Sequence, residues 1–220
     1  MKHILLCLIM LNITLCAMAQ KKLPYDEDFV LNEGLYLTKE MMQQNRPVDK
    51  ARIKSEIPPD DLAFFDYLTQ QSTITLYDEV GSEVTVKTSQ IWGYCTGGHI
   101  YVYYNGYFNR VGIVGNICHF LGTKTYLNSV RDPFYSGMYG RYGMYGPSYT
   151  ASTEAQQYLL NFETGDILEY NASNLEQMLM KDPELHDEFT DLKRKKRNAK
   201  LFYYMRKYNE KHPLYLPVYE

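Results

Sequence analysis

The densest run of apolar residues lies between positions 91 and 121, where β-branched and aromatic side chains are interrupted at short intervals by glycine and asparagine. Asn105-Gly106 separates two such runs, and this pair favours a tight hairpin turn because both residues reach positive φ at low cost. Gly97-Gly98 and Gly115-Asn116 have the same turn chemistry. The pattern therefore predicts a meander of four short antiparallel strands.

Large side chains fall on both faces of these predicted strands. One face would carry Tyr101, Tyr103 and Phe108, and the other Ile100, Val102, Tyr104 and Tyr107. Strands that are apolar on both faces are typical of a sheet that is covered on both sides or strongly curved. We expect these aromatic residues to be core residues.

Two further hairpins flank the meander. Thr73–Tyr77 and Glu83–Lys87 alternate apolar with polar residues around a polar turn, and residues 157–162 and 167–170 enclose Thr164-Gly165. Before them, residues 34–38 predict a short strand and residues 39–45 a turn or short helix. Pro58-Pro59-Asp60-Asp61 is expected to cap a helix that contains Leu62, Phe64, Phe65 and Leu68.

The C-terminal third has a helical pattern. Asn174 with Gln177 predicts a capping box, and Asp182-Pro183-Glu184 is a strong helix start because it combines a cap, a first-turn proline and an acid. Apolar residues at helical spacing then predict one long helix over residues 183–210, with a change of phase near Lys195. The predicted fold class is α+β: an antiparallel meander or curved sheet, with closure into a barrel as an alternative, and with this helix packed on it.

The first residues have the pattern of a secretory signal peptide. A basic head precedes an apolar stretch over residues 4–15, and Ala17-Met18-Ala19 forms a cleavage site. The stretch is too short for a transmembrane helix. We therefore expect residues 1–19 to be removed, and residues 20–220 to form a single periplasmic or extracellular domain without a transmembrane anchor.

Net charge and composition indicate which classes of partner to expect. The chain of 220 residues has a formal net charge of −3, which gives no reason to expect nucleic-acid binding. Its 22 tyrosines suggest rings at the rim of the core or on a binding surface. Cys95 and Cys118 remain after cleavage, and they could form a disulfide in an oxidising compartment or stay as buried thiols. Oligomeric state is left open.

Residues 131–153 are a tyrosine- and glycine-rich segment of low complexity, predicted as a flexible loop. Tyr139, Arg141, Tyr142 and Tyr145 could form a binding surface for an envelope protein or a glycan, because tyrosine supplies contact area at a low cost in entropy. A simple insertion between two strands is the alternative. The basic run of residues 193–197 is expected to be a solvated helix face, with anionic lipid as the other reading.

Catalytic signatures are absent from the sequence. There is no G-x-S-x-G, H-E-x-x-H, C-x-x-C or Walker motif. Cys95 with His99 and Cys118 with His119 are the thiol–imidazole pairs, but strand geometry separates both pairs locally. No catalytic residue, metal site or cofactor is predicted. A non-catalytic envelope binding module is favoured over a cysteine- or acid-dependent hydrolase with an unfamiliar site, and over a structural or stress-related envelope protein.

Several short motifs resemble a known group of proteins. These are Gly34-Leu35-Tyr36-Leu37-Thr38, Asn45-Arg46-Pro47, Ile91-Trp92-Gly93-Tyr94 and Tyr208-Asn209-Glu210-Lys211. In this order they resemble small exported proteins of unknown function from Bacteroidetes-type bacteria. The resemblance implies an exported bacterial protein and assigns no activity to any residue.

Overall fold

The computed structural model describes residues 21–130 and 148–219. The strands in chain order are β1 (Lys22–Pro24), β2 (Gly34–Tyr36), β3 (Ile53–Lys54), β4 (Thr73–Tyr77), β5 (Glu83–Lys87), β6 (Gly93–Thr96), β7 (His99–Tyr104), β8 (Tyr107–Ile113), β9 (Ile117–Val130), β10 (Ser148–Asn161), β11 (Ile167–Glu169) and β12 (Tyr215–Pro217). The helices are α1 (Lys39–Gln43), α2 (Phe64–Gln70), α3 (Ala172–Leu179), α4 (Pro183–Thr190), α5 (Arg194–Ala199) and α6 (Leu201–Lys211).

Antiparallel sheets dominate the fold, which confirms the α+β class. Seven strands form the main sheet in the order β11-β10-β9-β8-β7-β6-β2, and smaller sheets pair β3-β4-β5 and β1-β12. The predicted meander is therefore present as β6 to β9. The predicted closure into a barrel is wrong, because β2 and β11 are the two edges of an open sheet. On the outer side of β2, the Leu35 amide donates to the Val48 carbonyl at 2.9 Å, so this edge is already occupied by a local partner.

Backbone geometry explains the tight turns of the meander. Asn105 and Gly106 have φ values of 51° and 88°, and Gly97 and Gly98 have 55° and 74°. These are the left-handed conformations that type I′ turns require. These two dipeptides therefore predicted the turns because their residues adopt positive φ at low cost.

Outside the far ends of β9 and β10 the main sheet is largely buried on both faces, as the large side chains on both faces of the predicted strands indicated, although Tyr107 is exposed. On one face the core contains Tyr36, Cys95, Ile100, Val102, Cys118, Phe120, Tyr158 and Leu160, covered in part by Met42, Leu214 and Leu216. On the other face, Ile117 and Leu159 pack against the C-terminal helices, and Leu35 and Tyr94 pack against α2 and the three-stranded sheet.

The single long C-terminal helix is wrong. Three helices, α4 to α6, replace it, and breaks fall at residues 191–193 and at Lys200. Phe189 and Tyr204 show why: their ring centroids lie 5.0 Å apart, whereas one straight helix would separate them by about 22 Å. Both apolar stripes bury in the same cluster, so the chain must fold back through α5, which buries no residue.

Helix starts were predicted with mixed success. The predicted capping box at Asn174 is wrong: Asn171 is the N-cap of α3, and its side chain accepts from the Asn174 amide. Helix α2 begins at Phe64, and Leu62 lies outside it, fully exposed. Asp182 caps α4 as predicted and accepts from the Leu185 amide at 3.2 Å.

Asp182 also joins the two ends of the helical layer. Its carboxylate is almost completely buried and accepts from His212 Nε2 at 2.6 Å and from Lys211 Nζ at 2.9 Å. These donors, the His212 contact first, hold the pKa of Asp182 well below its usual range. The N-terminus of α4 is thereby fixed to the C-terminus of α6.

A second polar contact fastens α6 to the sheet. Asn209 Oδ1 accepts from the Ile117 amide at 2.9 Å, and Asn209 Nδ2 donates to the Ile117 carbonyl at 2.8 Å. The side-chain amide thus replaces a neighbouring strand at the start of β9. A Cβ on Gly115 would lie 2.5 Å from this amide, so close approach is the physical reason for glycine there.

The Asn209 contact generates a stability prediction. Asn209→Ala leaves both backbone groups of Ile117 without their partner, so we expect it to lower the free energy of unfolding by about 1 to 3 kcal/mol. Urea unfolding followed by circular dichroism measures this change. The exposed neighbouring variant Glu210→Ala is the control, and equal effects of the two variants would contradict the assigned role of Asn209.

The Asp182 contacts generate a pH prediction. Because the pKa of Asp182 is lowered in the folded protein, its stabilisation is complete above the unfolded pKa of about 3.9 and declines as the pH falls below it. Asp182→Asn retains a capping side chain but has no charge. We expect its urea midpoint to lie below that of the wild type at pH 7, and the difference to narrow as the pH falls from about 4 towards about 2. A difference that is independent of pH would show that packing, and not charge, holds this junction.

Candidate functional site

Strands β9 and β10 extend well beyond the rest of the main sheet. They remain in continuous register from Ile117↔Asn161 to Val130↔Ser148. Their flanking strands end early: β8 pairs with β9 no farther than Phe120, and β11 pairs with β10 no farther than Tyr158. Residues 121–130 and 148–157 therefore form a two-stranded ribbon, the name used for them below.

The ribbon has an open backbone edge on its β10 side. The Gln157 carbonyl accepts from the Tyr170 amide at 2.9 Å, so the backbone groups of Gln157 point away from β9. In an antiparallel ladder this direction alternates with each residue. The backbone groups of Ala155, Thr153, Ala151 and Tyr149 therefore point outward, and no strand pairs with them in the described part of the chain.

The β9 edge of the ribbon is partly covered. The Thr123 carbonyl on this edge accepts from Asn105 Nδ2, in the β7–β8 turn, at 3.2 Å. Outside the ribbon, at the start of β9, Asn209 occupies the same side of the strand at Ile117. The β10 edge is consequently the better surface for a partner.

The outer half of the ribbon has no charged side chains to protect its edges. Lys124 on β9 forms an ion pair with Glu169 on β11, and Glu154 lies opposite Lys124 in the ladder. Beyond that point, residues 125–130 and 148–153 include neither a charged residue nor a proline. Native sheet edges are commonly protected by such residues. Their absence makes the outer ribbon a suitable template for another strand.

The predicted binding residues Tyr139, Arg141, Tyr142 and Tyr145 lie outside the described residues. The Val130↔Ser148 pair brings the two ends of that segment together at the end of the ribbon. Residues 148–153, predicted as loop, belong instead to β10. The sequence analysis did not predict the open edge, because it included these residues in the low-complexity loop. Tyr149, Thr150 and Thr153 nevertheless have high β-propensity.

Burial makes the two thiols poorly suited to act as the nucleophile of a cysteine hydrolase. Cys95 and Cys118 are free and buried, and burial raises the pKa of each to about 12. Cys118 Sγ contacts the Gly115 carbonyl at 3.1 Å. A thiol with so high a pKa remains protonated at neutral pH, which argues against the hydrolase alternative.

The histidines next to these cysteines in sequence have other partners. Both ring nitrogens of His99 lie within 3.2 Å of Arg110 Nη2, and His119 Nε2 lies 2.9 Å from Gln157 Oε1. Burial lowers the pKa of His119, which favours its neutral form. The pairs considered from the sequence are therefore not brought together.

A polar pocket of about 310 Å³ lies between the start of β9 and the helical layer. It is lined by Asn116, Ile117, Asn161, Glu163, Met178, Lys181, Tyr208 and His212. Most of its polar groups have structural partners: Lys181 pairs with Glu163, and the Asn116 amide donates to the His212 carbonyl. The pocket therefore belongs to the joint that Asp182 and Asn209 stabilise.

Within residues 21–130 and 148–219, no group of three or more His, Cys, Asp or Glu side chains is arranged to hold a metal ion. In the same part of the chain, no helix has both the length and the apolar character needed to cross a bilayer.

Comparison with known proteins places the chain in a family. No match is found among curated proteins or among solved structures. Residues 67–212 match a family model whose description is "Family of unknown function (DUF6563)". The match begins within α2, ends just after α6 and includes the whole ribbon. The chain therefore belongs to this family of unknown function, DUF6563.

Proposed function

We propose that the protein is an exported, non-catalytic binding module that takes an extended peptide segment of an envelope protein as an additional strand on the β10 edge of the ribbon. The single observation that carries this proposal is the row of outward-facing backbone groups at Tyr149, Ala151, Thr153 and Ala155, which no described strand pairs. Export rests on the signal-peptide pattern of residues 1–19.

The dimensions of the edge suit a short peptide. From Tyr149 to Ala155 the strand spans about 20 Å, at about 3.4 Å per residue. Each outward-facing residue offers one N–H donor and one C=O acceptor, and main-chain hydrogen bonds of this kind supply affinity in strand addition. The absence of charge on residues 148–153 removes a barrier to the close approach of a second strand.

Selectivity would come from side chains. The side chains of Ala151 and Thr153 are exposed on the ribbon. We assign the remaining selectivity to Tyr139, Arg141, Tyr142 and Tyr145, whose segment is joined to the ribbon at Val130 and Ser148. Aromatic residues next to a strand edge can pack on alternate side chains of the added peptide.

Proline at Thr153 tests strand addition directly. Thr153→Pro removes an outward N–H but no hydrogen bond within the ribbon, and edge positions of this kind tolerate proline. A peptide of about twelve residues, enriched from a displayed random library on the full chain, should bind this variant at least about tenfold more weakly, as expected for the loss of one main-chain hydrogen bond and a steric block. Fluorescence polarisation measures the affinity.

Thr153→Ala is the matched control for that experiment. It retains the backbone N–H and removes only the side-chain hydroxyl and methyl group, so we expect its affinity to remain within about twofold of the wild type. Equal losses in the two variants would indicate recognition of the Thr153 side chain. A library that yields no peptide for the wild type, or unchanged binding by Thr153→Pro and Ala151→Pro, overturns the proposal.

The tyrosine-rich segment is tested separately. Replacing Tyr139, Arg141, Tyr142 and Tyr145 together by serine should weaken binding of the enriched peptide about tenfold or more. It should leave thermal stability unchanged, because the core clusters of the described residues include none of the four. Peptide affinity and the melting temperature are measured in parallel. Unchanged peptide affinity would remove these residues from the site, and binding on a glycan array that the serine variant loses would assign them to a carbohydrate.

A further inference from the structure

A second candidate site lies on the helical layer, away from the ribbon. An open cleft of about 520 Å³ separates the N-terminus of α3 from α5. It is lined by Asn171, Ala172, Ser173, Glu176, Arg194, Arg197 and Asn198. Two arginines, one glutamate, a hydroxyl and two side-chain amides therefore line a space large enough for a small anionic group.

Positive charge around the cleft exceeds what the protein itself neutralises. Six of the eight residues from Lys193 to Lys200 are lysine or arginine. Among the described residues, the ion pair made by this run is that of Arg197, whose Nη1 lies 2.8 Å from Glu176 Oε2. Arg194 forms no ion pair in the described part of the chain. An anion in the cleft would therefore encounter uncompensated charge.

Arg197 has an unused donor. Its Nε is buried and has no hydrogen-bond partner, and it is the one such side-chain atom found among the described residues. A buried donor without an acceptor is costly, because guanidinium N–H groups lose their water without compensation. Arg197 therefore has a guanidinium donor that its contact with Glu176 does not use.

The start of α3 supplies neutral donors to the same cleft. Asn171 satisfies the amides of Asn174 and Leu175, through its side chain at 2.9 Å and its carbonyl at 3.0 Å. The amides of Ala172 and Ser173 come before these and have no acceptor in the described structure. N–H groups at a helix N-terminus favour an anion, and here they add to the two arginines.

We propose that this cleft binds a phosphate monoester, with Arg194 and Arg197 as its charged ligands and Ser173 as a hydrogen-bond donor. Arginine matches the geometry of phosphate oxygens, and a phosphate monoester offers three acceptor oxygens to the many donors present. Glu176 holds Arg197 in position and competes with the anion for it. The site is independent of the ribbon, so either proposal can fail without the other.

Arg194→Gln tests the site in the full mature chain. The probe is inorganic phosphate, and its binding is followed by amide chemical shifts of residues 171–176 in an NMR titration at constant ionic strength. We expect Arg194→Gln to weaken phosphate binding by roughly tenfold, the effect of losing a charge-assisted contact. Arg194 is exposed and unpaired in the described structure, so the variant should fold as the wild type does.

Lys195→Gln is the matched control, because it removes the same charge from the same helix but does not line the cleft. It should change phosphate affinity by less than about twofold. Equal effects of the two variants would show a diffuse charge effect and overturn the proposal, as would the absence of phosphate-dependent shifts in the wild type. Glu176→Gln should bind phosphate more tightly than the wild type, because it removes the competing carboxylate.

Vesicle binding distinguishes the source of the phosphate group. Vesicles of phosphatidylcholine with phosphatidic acid, whose headgroup is a phosphate monoester, are sedimented with the wild type and with Arg194→Gln. Co-sedimentation that Arg194→Gln abolishes and Lys195→Gln retains assigns the site to a lipid headgroup. Phosphate binding without co-sedimentation assigns it to a soluble phosphate ester, and co-sedimentation that both variants lose equally counts against the cleft.

Discussion

Burial of residues 117–120 of β9 and residues 158–160 of β10 on both faces of the sheet is the constraint on which the rest of the structure depends. Ile117 and Leu159 face the helical layer, whereas Cys118 and Leu160, their immediate neighbours, face the opposite core. Because strand side chains alternate, neither face can be left to water without exposing large apolar residues. The C-terminal helices cover the apolar residues on one face of this strand pair. Met42, Leu214 and Leu216 cover those on the other face.

Polar contacts fix how these layers join. Asn209 replaces a strand at Ile117, and Asp182 connects the ends of α4 and α6 through Lys211 and His212. Each contact places a buried or half-buried polar group opposite a specific partner, so it defines a single arrangement of helices on the sheet. The polar pocket next to Asn116 follows from this joint, which is why we place the candidate sites elsewhere.

Both proposed sites lie where core burial ends. The ribbon continues for ten residue pairs past the last flanking strand, so its backbone edge is exposed. The cleft lies between α3 and α5, and α5 contributes no buried residue to the core. At the ribbon, a strand edge has no partner among the described residues. At the cleft, a buried guanidinium N–H has none there either, although proteins ordinarily provide hydrogen-bond partners for both kinds of group.

Local signals in the sequence determined the elements whose causes are local. Asn105-Gly106 and Gly97-Gly98 require left-handed backbone, and Asp182-Pro183 supplies a cap and a helical first turn, so these features could be predicted from neighbours in the chain. Tertiary structure alone decided that Phe189 contacts Tyr204, that Gly115 makes room for Asn209, and that residues 148–153 pair with β9. Each of these depends on contacts between residues distant in sequence or on pairing with another strand, and periodicity within one segment carries no information about such partners.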